Sequence, residues 1–250
     1  MLQKLGAAAT GRWSGKKTMK DLGDSGSVRR LNWIARAIGA KTYLEIGVLN
    51  GKTFRGVRVK TRHAVDPNFR FDTRELADRN TCFYPMTSDE YFARHIGQRQ
   101  YDLVFLDGLH TYEQTFRDFC AVLPHTHARS VILIDDTLPS DPYSALPDPA
   151  EADRQKVAAG HTGGGWSGDV YKLVFAIHDF FPTLSYTTIQ QGKGQTAVWR
   201  EPRANFAPLM NSHEAISRMT WQDMQDNLAI MQLEDRDAAL DRVASGIFRK

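Results

Sequence analysis

The sequence predicts an α/β fold built on a mostly parallel sheet, and three observations carry that prediction. A turn at Gly47 and Gly51 joins a short apolar strand to a helix, and Asp66 ends a second strand 66 − 47 = 19 residues after the first glycine. That spacing is where a doubly wound, Rossmann-type sheet holds a ribose. Apolar runs at residues 103–106 and 131–134 have the character of strands buried on both faces, and both end in aspartates, Asp107 and the pair Asp135 and Asp136. Residues 184–189 and 196–199 flank a glycine-containing turn at 190–195, which reads as an antiparallel hairpin.

The elements follow in order. Residues 1–26 begin with Lys4, Arg12, Lys16, Lys17 and Lys20 and no acid among the first twenty, which reads as a flexible basic arm. Residues 27–38 carry a serine cap, apolar residues at helical spacing and Gly39 as a stop. A short strand at 42–44 precedes the glycine turn, and a helix is expected from Thr53. The third strand is expected to end within 81–86, where Thr87 can cap a helix running to about Ile96. Thr111 can cap a helix through Val122, which Pro124 follows. The stretch 138–168 holds Pro139, Pro142, Pro147, Pro149 and Gly163 to Gly165, and reads as a long loop over the active site with Trp166 as a pocket wall. Asp169 is expected to cap a helix over 169–181, and Lys172 to point either to solvent or to the acidic site. The region 204–250 reads as a helical extension, with Ser212 and Thr220 as caps and Thr220 to Asp223 as a capping box. It either covers the domain at 27–203 or forms a homodimer contact.

Composition narrows the function classes. A net charge of +3 points to neither nucleic acid nor an anionic membrane, no long apolar run is present, and Cys82 and Cys120 lack metal-binding spacing. A protein of a reducing compartment, the cytoplasm, is the expectation.

The turn is a cofactor cradle, because glycines let backbone approach a ligand and the N–H groups at the next helix start suit an anion. Glu45 stands where a dinucleotide-binding turn has its first glycine, and a carboxylate there repels a pyrophosphate. A positively charged nucleoside cofactor fits better. Asp107, Asp135 and Asp136 come from adjacent strand ends, and three carboxylates in one volume call for protons or a hard divalent cation such as Mg2+. The alternative is that Asp107 and Asp136 cap the following helix and turn while Asp135 bonds to backbone. His110 titrates near neutrality and is either the general base or a ligand of Asp107 or Glu113 that orders its loop. Tyr112 packs on either adenine or the sheet. His125 and His127 read as solvated.

Glu45-x-Gly47-x-x-x-Gly51 resembles motif I of the class I S-adenosylmethionine-dependent methyltransferases. Asp107-Gly-Leu-His110 and Asp135-Asp136-Thr137 resemble the strand-4 and strand-5 ends of metal-dependent small-molecule O-methyltransferases of the catechol and macrolide or aminocoumarin sugar types. Asp107-Gly-x-His110-x-Tyr112 is similar to a broad bacterial group. The resemblance spans about 45–199 and implies a seven-stranded sheet with six parallel strands and transfer of a methyl group to a small-molecule oxygen. It implies that Glu45, Gly47 and Gly51 hold the amino acid end of the cofactor, Asp66 its ribose and Ser88 or Asp89 its adenine. Asp107, Asp135 and Asp136 would be metal ligands and His110 the base. Two departures bear on the base and the metal: the catechol enzymes have lysine at the His110 place and asparagine at the Asp136 place. A metal-free methyltransferase, with Asp107 on the cofactor, and a non-catalytic cofactor-binding protein remain alternatives.

Overall fold

The structure is a computed structural model that describes residues 26–161 and 165–248. The expected basic arm, apart from Gly26, and residues 162–164 of the long connection lie outside the described residues. One sheet of eight strands organises the chain: β1 (Thr42–Ile46), β2 (Thr61–Val65), β3 (Thr81–Tyr84), β4 (Tyr101–Leu106), β5 (Thr126–Ile134), β6 (Ser185–Ile189), β7 (Gln195–Trp199) and β8 (Leu233–Glu234). Their order is β3-β2-β1-β4-β5-β7-β6-β8. β7 runs antiparallel to both its neighbours, and the remaining pairings are parallel. The first seven strands match expectation. β8 is an addition, two residues of the C-terminal extension pairing with Thr188 and Ile189.

Alternation along the strands divides the core into two layers. Leu44, Ile46, Val104, Leu106, Ile132 and Ile134 face one side. There they meet α3 (Ser88–Arg94), α4 (Tyr112–Val122) and α6 (Tyr171–Phe180), with α7 (His213–Ser217) and α8 (Trp221–Asp226) outside them. Tyr43, Leu103, Phe105, Val131 and Leu133 face the other side. That face is covered by α1 (Gly26–Ile38), α2 (Lys52–Gly56) and α9 (Arg236–Phe248). The C-terminal extension therefore covers the domain, since Ala239, Leu240, Val243 and Ile247 of α9 are buried in this second layer.

Local chemistry sets the helix starts. Thr87 and Thr111 accept from Glu90 N–H and Gln114 N–H as N-caps, Ser212 caps α7, and Thr220 and Asp223 form the expected capping box. Two expectations are corrected. The 138–168 connection contains α5 (Pro149–Ala158), where Asp148 accepts from the N–H groups of Ala150 and Glu151. Proline read as a loop former is here at the first helical position, where its missing N–H costs nothing. The connection is also tied down: Trp166 Nε1 donates to Leu146 O at 2.7 Å, Ser167 and Gly168 N–H to Ser144 O at 3.0 Å each, and Trp221 Nε1 to Pro139 O at 3.1 Å. Asp169 caps a different helix from the one expected. Its Oδ1 accepts from Tyr112 N–H at 2.7 Å at the start of α4, while Oδ2 pairs with Lys172 Nζ at 2.9 Å. Lys172 is accordingly buried and also donates to Ser217 O at 2.8 Å, so it faces neither solvent nor the acidic site.

Candidate active site

The strand order reverses between β1 and β4, and a parallel sheet opens its ligand crevice at such a point, outside the carboxyl ends of the strands. A cavity of about 880 Å³ lies there. Its walls come from the β1 and β2 tips, the start of α3, the face of α4, the β4 and β5 tips, the first turn of α1 and the β6–β7 turn.

The β1 tip is shaped by Gly47. Its φ is +82°, and a side chain there would put Cβ 1.9 Å from Asp107 O, so only glycine allows the β1 and β4 tips to close together. Gly51 has a different job from the one expected. It lies outside the cavity wall as the left-handed N-cap of α2, and a Cβ would strike the Phe71 ring at 2.8 Å. Glu45 faces the cavity floor, 1% exposed, and accepts from Tyr43 OH at 2.6 Å. Burial raises its pKa well above the usual carboxyl range, and a cation beside it would bring it down again. Asp66 folds back on the turn: Oδ2 accepts from Val48 and Leu49 N–H at 2.8 and 2.7 Å, and Oδ1 from Asn68 N–H at 2.7 Å. A carboxylate has further lone pairs to offer to ribose hydroxyls.

Ser88 and Asp89 stand at the far wall, where Gln114 Nε2 donates to Ser88 Oγ and Asp89 Oδ1 at 3.2 Å each. The sequence reading missed Gln114 and Asp118, which share an α4 face four residues apart. Asp118 is 2% exposed, and burial pushes its pKa up to about 6. The i, i+4 spacing of two polar residues in an amphipathic helix was the available signal.

The β4 and β5 tips bring together Asp107, His110 and Asp136, whose ligand atoms all lie within 4.8 Å of one another. Asp136 has a left-handed backbone, φ +58°, which aspartate tolerates better than most residues. His110 Nε2 is 3.3 Å from Asp107 Oδ1, and Nδ1 is 2.9 Å from Asp136 Oδ2. The Nδ1 contact is out of line for a hydrogen bond and is one of charge. Burial opposes a charged imidazole, but the two aspartates outweigh it and push the pKa up to about 9. Lys193 on the β6–β7 turn adds a second cation 3.3 Å from Asp136 Oδ1. Trp166 stacks on the His110 ring, centroids 5.0 Å apart and planes at 18°, and so backs the histidine rather than walling the cavity.

Asp135 lines the same cavity but stands apart from this trio. Its Oδ1 accepts from Asp136 N–H at 2.9 Å and Gln195 Nε2 at 3.1 Å. Burial, then the charges of Asp107 and Asp136, push its pKa up to about 7. The expected ligand set is therefore only partly brought together: Asp107 and Asp136 meet, His110 takes the place expected for Asp135, and Asp135 turns to Gln195 and the Asp136 N–H. Tyr112 is fully buried beside Phe116 and His213, away from the cavity. His127 is not simply solvated, since Nε2 pairs with Asp102 at 2.8 Å.

Comparison with known proteins agrees with this geometry. Residues 44–137 match the family described as a methyltransferase domain. No curated protein matches the sequence. Among solved structures, the chain is similar to a protein assigned as an O-methyltransferase from Klebsiella pneumoniae, at 18% identity and a TM-score of 0.51, over 71% of this chain and 82% of that one. It is also similar to a protein assigned as a caffeoyl-CoA O-methyltransferase from Staphylococcus aureus, at 14% identity and a TM-score of 0.49, over 71% and 84%. A third is the O-methyltransferase from Bacillus cereus in complex with S-adenosylhomocysteine, at 17% and 0.46, over 72% and 86%. The likeness to the first of these, at 18% identity, speaks for the fold alone. No helix among the described residues is long and apolar enough to cross a membrane. Over residues 44–137, the segment that contains the glycine turn after β1 and the acid-tipped strands β2, β4 and β5, the chain matches a methyltransferase domain.

Proposed function

We propose that the chain transfers the methyl group of S-adenosylmethionine to an oxygen of a small-molecule acceptor. The observation that supports this best is a single cavity whose wall contains both the Gly47 turn with Asp66 and the Asp107, His110 and Asp136 cluster.

Each end of the cavity suits its part of the reaction. Glu45 would meet the cofactor's ammonium group, whose charge would offset the burial that raises the Glu45 pKa. Asp66 would accept from the ribose hydroxyls while staying fixed by three backbone N–H groups. Ser88, Asp89, Gln114 and Asp118 offer polar edges to the purine. When bound, the cofactor supplies a methyl group on positively charged sulfur, and the acceptor hydroxyl has only to lose its proton. His110 is placed for that step. Held between two carboxylates its ring carries a proton at neutral pH, and a cation set against Asp107 weakens that hold. The ring would then release that proton to solvent, and Nε2 could take the hydroxyl proton as the methyl group leaves sulfur.

A divalent cation is the second reading, favoured by the Asp107, His110 and Asp136 donors. Carboxylate and imidazole donors suit Mn2+ or Zn2+ as well as Mg2+. Such an ion would lower the pKa of the acceptor hydroxyl. Without it, His110 and Lys193 supply the balancing positive charge.

Transfer of an isotopically labelled methyl group to a panel of hydroxyl compounds, with and without a chelator, tests both readings. Labelled methyl ethers, lost in His110→Gln, are expected. Label found only on nitrogen or sulfur acceptors would overturn the oxygen assignment, and full activity in chelator would remove the metal.

A further inference from the structure

Arg30 is a buried cation at the cavity wall, and no carboxylate among the described residues is bound to it. It lies on α1, 8% exposed. Nη1 donates to Gln195 Oε1 at 2.8 Å and Nη2 to Gln191 O at 2.9 Å, both neutral oxygens, while Nε has no partner among the described residues. Asp135 attracts it through space, but that carboxylate is engaged by Gln195 Nε2 and Asp136 N–H. Burial holds the guanidinium pKa below its ordinary value.

Gln195 explains how the charge is kept unspent. Its Oε1 faces Arg30, and its Nε2 donates to both Ser27 Oγ at 2.8 Å and Asp135 Oδ1 at 3.1 Å. A guanidinium needs an acceptor and a carboxylate needs a donor, so this amide orientation is the one that satisfies both. A neutral side chain is thereby interposed where a glutamate would have formed an ion pair. Taking a cation out of water without a counter-ion is costly. A guanidinium kept so beside a ligand cavity is suited to bind a planar or tetrahedral anion through its fork.

We propose that Arg30 is the recognition site for an anionic group, a carboxylate or a phosphate, on the methyl acceptor, which is therefore a hydroxyl-bearing acid. The proposal rests on the methyl-transfer reading. The anion would sit at the α1 and β6–β7 end of the cavity, and the hydroxyl near His110 and Asp136 at the strand tips.

The test is calorimetric titration of the protein saturated with S-adenosylhomocysteine, using inorganic phosphate and glycolate as probes at constant ionic strength. At least one probe is expected to bind in the millimolar range, phosphate marking a phosphorylated acceptor and glycolate a carboxylate. Arg30→Gln and Gln195→Glu should each weaken it at least tenfold, with S-adenosylhomocysteine affinity within threefold of wild type. Gln195→Glu keeps Arg30 in place and neutralises it, so the test stands if Arg30→Gln does not fold. Normal S-adenosylhomocysteine binding with no binding of either probe, or with probe binding unchanged in the variants, would overturn the proposal alone. Loss of S-adenosylhomocysteine binding in the wild type would instead remove the methyl-transfer reading and this proposal with it.

Discussion

Replacing Asp135 by Asn should stabilise the ligand-free protein, and by an amount that depends on pH. Burial and the neighbouring Asp107 and Asp136 charges push the Asp135 pKa up to about 7, against about 3.9 in an unfolded chain. A carboxyl with a raised folded pKa takes up a proton on folding. Its destabilising effect is therefore absent below about pH 4, grows between about 4 and 7, and is complete above 7. A shift of about three units corresponds to about 4 kcal/mol. The side chain keeps some contact with solvent, so about 2–4 kcal/mol is expected. Asparagine keeps the Oδ1 that accepts from Asp136 N–H and Gln195 Nε2, so the change removes charge and little else. For a chain of this length the gain corresponds to a melting point roughly 4–15 °C higher at pH 8.5. Thermal unfolding at pH 4, 6 and 8.5 measures it. Equal stability at pH 8.5, or an advantage that does not grow with pH, would refute the placement of three mutually repelling carboxylates at the strand tips.

Other expectations follow from the same geometry. Gly47→Ala forces a methyl group into Asp107 O and should weaken S-adenosylhomocysteine binding at least tenfold by calorimetry; unchanged affinity would contradict the close approach of the two tips. His110→Gln should lower methyl transfer by about 10²–10⁴ while cofactor affinity stays within threefold, and full turnover would remove His110 from the chemistry. Because the His110 pKa is raised to about 9, its contribution to stability is complete below about pH 6.5 and is lost as pH rises through 9; urea unfolding of wild type against His110→Gln should converge above that pH. Asp169→Asn leaves the Lys172 ammonium buried beside a neutral amide and should cost about 3–5 kcal/mol in urea unfolding. Adding Lys172→Met should restore part of it, and a loss under about 1 kcal/mol would mean that the pair is hydrated.

The frame was legible because it is written in local patterns. Apolar runs ending in aspartate located β4 and β5, the glycine turn and Asp66 located β1 and β2, and Thr87, Thr111, Ser212 and Thr220 marked real helix starts. What escaped was set by contacts across long separations. Arg30 reads in the sequence as one more polar position of an amphipathic helix, and its place at the cavity depends on Gln195, 165 residues away. Asp169 looked like the cap of the helix it precedes, whereas the fold hands it to Tyr112. Asp135 and Asp136 are adjacent in sequence, yet the left-handed backbone at Asp136 parts their carboxylates and leaves one with His110 and the other with Gln195. Proline misled the reading of 138–168, because at the first helical position it begins α5 instead of preventing it.

The central claim is that the cavity at the strand tips binds the methyl donor, and calorimetric titration with S-adenosylhomocysteine, with and without Mg2+, tests it most directly. The account predicts one site per chain with a dissociation constant in the micromolar range, abolished or strongly weakened in Gly47→Ala. Absence of binding at millimolar concentrations would contradict it and leave the assignment of Glu45, Asp66 and Asp107 to the cofactor without support.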